Sequence, residues 1–197
     1  MTPLVLAHRG ACWEAPENTP EAFELAIAEQ ADYIEFDVRA RDGELVVCHD
    51  PSPPAGAPRL DDVLAVLTGR VGLAVEVKEE ETTGAVLDAL ERHRVEVDET
   101  IVVSFRRGAL EQVRARRPGL RCVLHVKDPA AAAGFWGIGF EEPADASAIR
   151  EALSLGLATT VFTVNEPERM LELARLGVTG LFTDRPGLAR RTLEAAR

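Results

Sequence analysis

Along the chain, short runs of apolar and β-branched residues alternate with longer stretches in which apolar residues return every three or four positions, the spacing of one helix face. The short runs predict strands at Leu4 to Ala7, Tyr33 to Val38, Val71 to Val77, Ile101 to Phe105, Leu120 to His125, Trp136 to Phe140, Ala158 to Val164 and Gly180 to Thr183. Helices are predicted in PEAFELAIAEQ, DDVLAVL, GAVLDALERHR, GALEQVRARR, ASAIREALSLG, EPERMLELARLG and RPGLARRTLEAAR. Several of these open on Pro, Asp or Glu and stop at Gly, as at Gly156 and Gly177. Such alternation is the signature of repeated βα units with parallel strands. Eight strands in one core favour an α/β protein built as a closed (β/α)8 TIM barrel over an open doubly wound sheet, a choice that periodicity alone does not make.

Length sharpens this expectation. Barrels of this type typically run to about 250 residues, so a chain of 197 must have very short loops or lack an element. With 46% hydrophobic residues it can bury one sizeable core, and one domain over residues 1–197 is expected. The low-complexity stretch PSPPAGAP, Pro51 to Pro58, suits neither strand nor helix and is read as a loop over the barrel mouth.

A formal net charge of -11 argues against a basic surface that grips nucleic acid or an anionic membrane, so any anionic group must be met locally. Cys12, Cys48 and Cys122 are odd in number and widely spaced, which fits small residues in a reducing compartment better than a disulfide or zinc motif. No apolar run approaches the roughly 18 residues of a membrane span, and MTPLVLAHRG lacks the parts of a signal peptide. A cytoplasmic protein is expected.

Charges inside barrel strands need explaining, because both faces of such strands are covered. In YIEFDVRA, Glu35 and Asp37 are two apart and share a face; in LAVEVKE, Glu76 and Lys78 do the same. Three carboxylates converging in a barrel repel one another unless a hard cation neutralises them, and oxygen ligands suit Mg2+ or Ca2+. The bland alternative is an ion pair, Glu76 with Lys78 or Glu35 with Arg39, in solvated edge strands. Two histidines at strand ends, His8 beside Arg9 and His49 beside Asp50, favour the chemical reading.

These residues stand in a longer pattern. The stretch AHRGACWEAPENTPEAFELAIAEQADYIEFDVRARDGELVVCHDPS resembles the opening signature of the glycerophosphodiester phosphodiesterases, a family of PLC-like phosphodiesterase TIM barrels: H-R-G, P-E-N-T, E-x-D, then D-G near V-V-x-H-D. AVEVK, VVSF, TVN and GVTGLFTDRP are similar to the family's later segments. The likeness runs from about Ala7 to Pro186 and is weakest between Val123 and Pro143.

The resemblance implies metal-dependent hydrolysis of a small glycerophosphodiester to glycerol phosphate and an alcohol through a cyclic phosphate. Glu35, Asp37 and Glu76 would be the ligands of one divalent cation, Mg2+ or Ca2+, and His8 and His49 the general acid and base. Arg9 and Lys78 would hold the phosphate, with Glu17, Asn18 and Asp50 in supporting positions. Two departures stand out. The family's helical insertion between the H-D segment and the third strand is largely absent, which predicts an open mouth and poor selection among headgroup alcohols. Phe162 stands where the family often has tryptophan, and it would still stack on the glycerol. The competing readings are a barrel that binds phosphodiesters or phospholipid headgroups with little turnover, and a lysophospholipase D-like activity. Trp13 and Trp136 are read as packing anchors, His93 as solvated, Glu141 and Glu142 as rim charges. Ser104 and His125 are placed near the mouth without a motif to support them.

Overall fold

The computed structural model describes residues 2–196. Nine strands form one sheet: β1 (Leu4–Ala7), β2 (Tyr33–Arg41), β3 (Glu44–Val47), β4 (Gly72–Val77), β5 (Thr100–Ser104), β6 (Arg121–His125), β7 (Gly137–Glu141), β8 (Ala158–Phe162) and β9 (Gly180–Thr183). All except β3 pair in parallel, and β1 bonds to both β2 and β9, so eight strands close into a barrel. Seven helices wrap it: α1 (Pro20–Ala28), α2 (Leu60–Leu67), α3 (Thr83–Arg92), α4 (Arg107–Arg116), α5 (Ala146–Ser154), α6 (Pro167–Leu176) and α7 (Pro186–Ala195).

The barrel economises in two places. Between β6 and β7 the crossover helix is replaced by a 3-10 turn, Pro129–Ala132. Between β3 and β4 the chain passes through the Pro51–Pro58 loop and the eight residues of α2. One strand was not anticipated. β3 folds back on β2 as an antiparallel hairpin, with Asp42 and Gly43 both at positive φ, 50° and 83°. That is the backbone of a two-residue type I′ turn, which Asp-Gly favours.

The core has two shells because side chains alternate along each strand. Ile34, Phe36, Val75 and Val102 point outward and pack against the helices. Leu6, Tyr33, Ala74, Ile101, Val103, Val123 and Phe182 fill the barrel interior. Arg121 closes the lower end: its guanidinium donates to the Tyr33 hydroxyl at 3.1 Å and lies 5.5 Å over the Trp136 ring, which confirms Trp136 as a packing residue. At the opposite end the loop from His8 to Thr19 docks on α1. Thr19 caps the helix by accepting from the Ala22 N–H at 3.2 Å, and Pro20 occupies its first turn. Gly10, at φ 85°, lies so close to α1 that a Cβ there would fall 2.7 Å from Cβ of Ala22. The glycine of H-R-G is thus what lets the loop carrying His8 and Arg9 meet the barrel.

Candidate active site

The inward positions at the carboxyl ends of the strands hold the chemistry, as barrel geometry predicts. Glu35 and Asp37 rise from β2 and Glu76 from β4, each almost fully buried. One carboxylate oxygen from each lies within 4.8 Å of the other two. β2 and β4 are hydrogen-bonded neighbours with Asp37 opposite Glu76 in register, so the two-residue spacing in sequence becomes a triangle of acids in space.

Cations partly compensate them. Lys78 Nζ lies 2.6 Å from Asp37 and 2.7 Å from Glu76, and Arg9 Nε lies 3.1 Å from Asp37 Oδ2. Asn18 donates to Asp37 at 2.8 Å. Burial alone would raise Asp37, but Lys78 and Arg9 outweigh it and hold the carboxyl below its ordinary range, so Asp37 is ionised. Glu35 differs. It accepts the Arg9 backbone N–H at 2.9 Å, while its Oε1 is buried without a protein hydrogen-bond partner among the described residues. Burial first, then the charges of Asp37 and Glu76, push Glu35 well above the usual carboxylate range. Burial also raises Glu76. Two cations facing three acids leave a deficit of positive charge at the orphaned oxygen. A hard divalent cation fits that donor set, with Glu35, Asp37 and Glu76 able to hold it. The ion-pair alternative is half right: Glu76 does pair with Lys78, but in the buried site, while Arg39 bonds Glu79 at 2.5 Å and leaves Glu35 unpaired by it.

His8 follows β1 and faces the acids. Its Nδ1 lies 2.7 Å from Asp184 Oδ1, and Asp184 is held down to about 2 because hydrogen bonds from His8, Cys12 and Asn165 overcome the opposing effect of burial. An ionised acceptor assigns the proton to Nδ1 and leaves Nε2 free for a reacting group. Asn165 fixes the other side, donating to Asp184 Oδ2 at 2.6 Å. Neither residue was assigned a role from sequence, although both lie in segments, TVN and TDRP, that carry the family likeness. Asp184→Asn is expected to lower kcat by about 10²-fold or more with little change in KM, since the amide favours the wrong tautomer of His8. Steady-state kinetics checks this.

His49 follows β3 and enters the same cavity, with its backbone carbonyl accepting from Arg39 at 2.9 Å. Burial first, then Arg9, lowers its pKa, so the imidazole is neutral at neutral pH. The supporting residues divide. Glu17 pairs with Arg9 at 2.7 Å and Asn18 with Asp37, whereas Asp50 spends its carboxylate on the Ser52 N–H at 2.7 Å and shapes the loop. Arg9 and Asn18 both adopt positive φ, 56° and 58°, a cost that the hydrogen bonds of the site maintain.

Other expectations need correcting. Ser104 does not face the site, because its hydroxyl donates to the Val77 carbonyl at 2.7 Å. Trp13 is an exposed ring under the Arg185 guanidinium, not a core anchor. His93 is not free in solvent but lies 2.9 Å from Asp61, and Glu142 binds Arg169 at 2.8 Å. Phe162 lines the cavity, yet one face of its ring is taken by His125, stacked at 4.1 Å. His125 and Glu141 line the cavity too. The Pro51–Pro58 loop borders the mouth beside His49 instead of covering it.

The sequence signature described as the glycerophosphoryl diester phosphodiesterase family matches residues 8–81 and 57–188. The chain belongs to this family. Its reaction is therefore the hydrolysis of glycerophosphodiesters to glycerol phosphate, and the chain is a phosphoric diester hydrolase. The match is made in two pieces that overlap over residues 57–81, from within the shortened β3–β4 connection through β4. A glycerophosphodiester phosphodiesterase of Bacillus altitudinis is 25% identical over 240 aligned positions covering 96% of this chain and 98% of that one; with 197 residues here, the relative carries segments this chain lacks. Among solved structures, a glycerophosphodiester phosphodiesterase from Parabacteroides distasonis superposes with a TM-score of 0.88 at 22% identity, covering 99% of this chain and 98% of that one. An Oleispira antarctica phosphodiesterase in complex with the product sn-glycerol-3-phosphate gives 0.89 at 23% identity, covering 98% and 97%. No described helix is long and apolar enough to cross a membrane.

Proposed function

We propose that residues 1–197 act as one domain that hydrolyses small glycerophosphodiesters with a divalent cation, Mg2+ or Ca2+, held by Glu35, Asp37 and Glu76. The observation that carries this reading is the buried acid triangle with an unpartnered Glu35 oxygen, set beside two imidazoles in one cavity. When bound there, the cation would supply Lewis acidity, polarising the phosphoryl group and lowering the pKa of the attacking hydroxyl.

The chain's own residues do the rest. Arg9 and Lys78 present positive charge to the phosphate from two sides, Arg9 with a planar fork and Lys78 as a point charge. The glycerol hydroxyl next to the ester attacks phosphorus, one imidazole, neutral on entry, takes its proton, and the other, which enters the cycle as imidazolium, gives a proton to the departing alcohol oxygen, leaving a cyclic phosphate. Water then opens the ring with the two imidazoles in exchanged roles, which returns each to its starting state. Asp184 keeps Nε2 of His8 available throughout. Three free cysteines accord with action in the reducing cytoplasm.

The test is turnover of glycerophosphocholine and glycerophosphoethanolamine by purified protein before and after chelation. Both are expected to be hydrolysed at similar rates, because the shortened β3–β4 connection leaves the headgroup side open. Activity is expected to vanish on chelation and return with Mg2+ or Ca2+. Turnover that survives complete metal removal contradicts the proposal.

A further inference from the structure

His125 lines the cavity, and the mechanism leaves its chemistry unused. The residue is 6% exposed, and neither ring nitrogen has a hydrogen-bond partner among the described residues. Leaving both polar atoms of a buried imidazole unmet is costly, because water no longer satisfies them. The fold nevertheless builds a niche for it. Phe162 stacks on one face with centroids 4.1 Å apart, and Phe105 and Phe182 meet the ring edge-on at 4.9 and 5.9 Å. Gly139 on the neighbouring strand β7 supplies the room, since a Cβ there would fall 2.6 Å from Nε2. A leucine or phenylalanine would fill such an aromatic pocket without the polar cost.

We propose that His125 binds the terminal hydroxyl of the substrate's glycerol half and makes the enzyme specific for glycerol over otherwise similar diol esters. This rests on the hydrolase reading above. The partner's chemistry follows from the state of the ring. Burial first, then the charges of Lys78 and His8, push the imidazole down to about 3, so it is neutral at working pH. A neutral imidazole has one donor and one acceptor, which matches a hydroxyl that both gives and takes a hydrogen bond. A phosphate oxygen, which only accepts, is better served by Arg9 and Lys78. The glycerol half is the part common to every glycerophosphodiester, and it suits the enclosed aromatic recess on the β5, β6 and β8 side. The variable alcohol suits the open groove that Glu17, His49 and the Pro51–Pro58 loop form on the opposite side.

The experiment compares an ester of glycerol phosphate with its 1-deoxy analogue, the corresponding propane-1,2-diol phosphate ester, which keeps the attacking hydroxyl and lacks the terminal one. Wild-type protein is expected to lose about 10- to 100-fold in kcat/KM on the analogue. His125→Phe is expected to fall to that level on glycerol substrate and to treat the two esters alike within about twofold. His125→Asn, with a donor and an acceptor, should recover part of the discrimination, and Gly139→Ala, which displaces the ring, should lose it while thermal unfolding shows a folded protein. Full discrimination in His125→Phe, none in the wild type, or a change confined to the ranking of headgroups would overturn the assignment. No turnover of either ester by metal-loaded wild type would overturn the hydrolase reading, and this inference with it.

Discussion

His8→Ala is expected to lower kcat by about 10²- to 10⁴-fold, and His49→Ala by a similar factor, with the fold intact. Each imidazole moves one proton in each half of the reaction, so losing either one stalls both formation and opening of the cyclic phosphate. On the barrier this is about 2.7 to 5.5 kcal/mol per residue. The double variant is expected to be little worse than the singles, because two groups serving one proton-transfer sequence do not contribute independently. Cyclic phosphate should not accumulate in His8→Ala under single-turnover conditions if His8 is needed in the first half. The limb of the pH profile that belongs to His49 should lie below the ordinary histidine range, since burial first and then Arg9 lower it. Activity within about threefold of wild type in either single variant would remove that histidine from the chemistry.

Glu35→Gln is the second large expectation, and it pulls activity and stability in opposite directions. The amide keeps an acceptor for the Arg9 N–H, which Glu35 accepts at 2.9 Å, but removes the charge from the triangle. Divalent-cation affinity and kcat/KM are each expected to fall by about 10²-fold or more, as an anionic oxygen ligand is lost. The metal-free protein, by contrast, should gain on the order of 1 kcal/mol, because the buried Glu35 is held against its burial and the repulsion of Asp37 and Glu76. Denaturant unfolding with chelator present checks the gain. A loss of stability would mean that Glu35 serves the fold more than the site.

Much of this was legible before any coordinates. The β2 acids and the Glu76–Lys78 pair were found by their two-residue spacing, because a barrel strand tolerates inward charge only where something answers it. The eight parallel strands and seven helices stand close to where apolar periodicity put them. What escaped the sequence was either very short or very distant. β3 is an antiparallel addition to β2 that falls outside the βα alternation, and only Asp-Gly marked its turn. The crossover after β6 gave no helical pattern because it contains none, only the 3-10 turn at Pro129–Ala132. Asp184 lies 176 residues from His8, and only closure of the barrel between β1 and β9 brings them together. His125 was visible as a histidine at a strand end, but its aromatic box is assembled from Phe105 just after β5, Phe162 of β8 and Phe182 of β9, and no local window contains all of it.

Calorimetric titration of Mg2+ or Ca2+ into metal-free protein goes straight to the acid triangle. The wild type is expected to take up one ion per chain, and Glu35→Gln to show that binding weakened about 10²-fold or more, in step with its turnover. Equal uptake by the two proteins, or none by a wild type that still hydrolyses its substrate, would show that these three carboxylates are not where the cation sits.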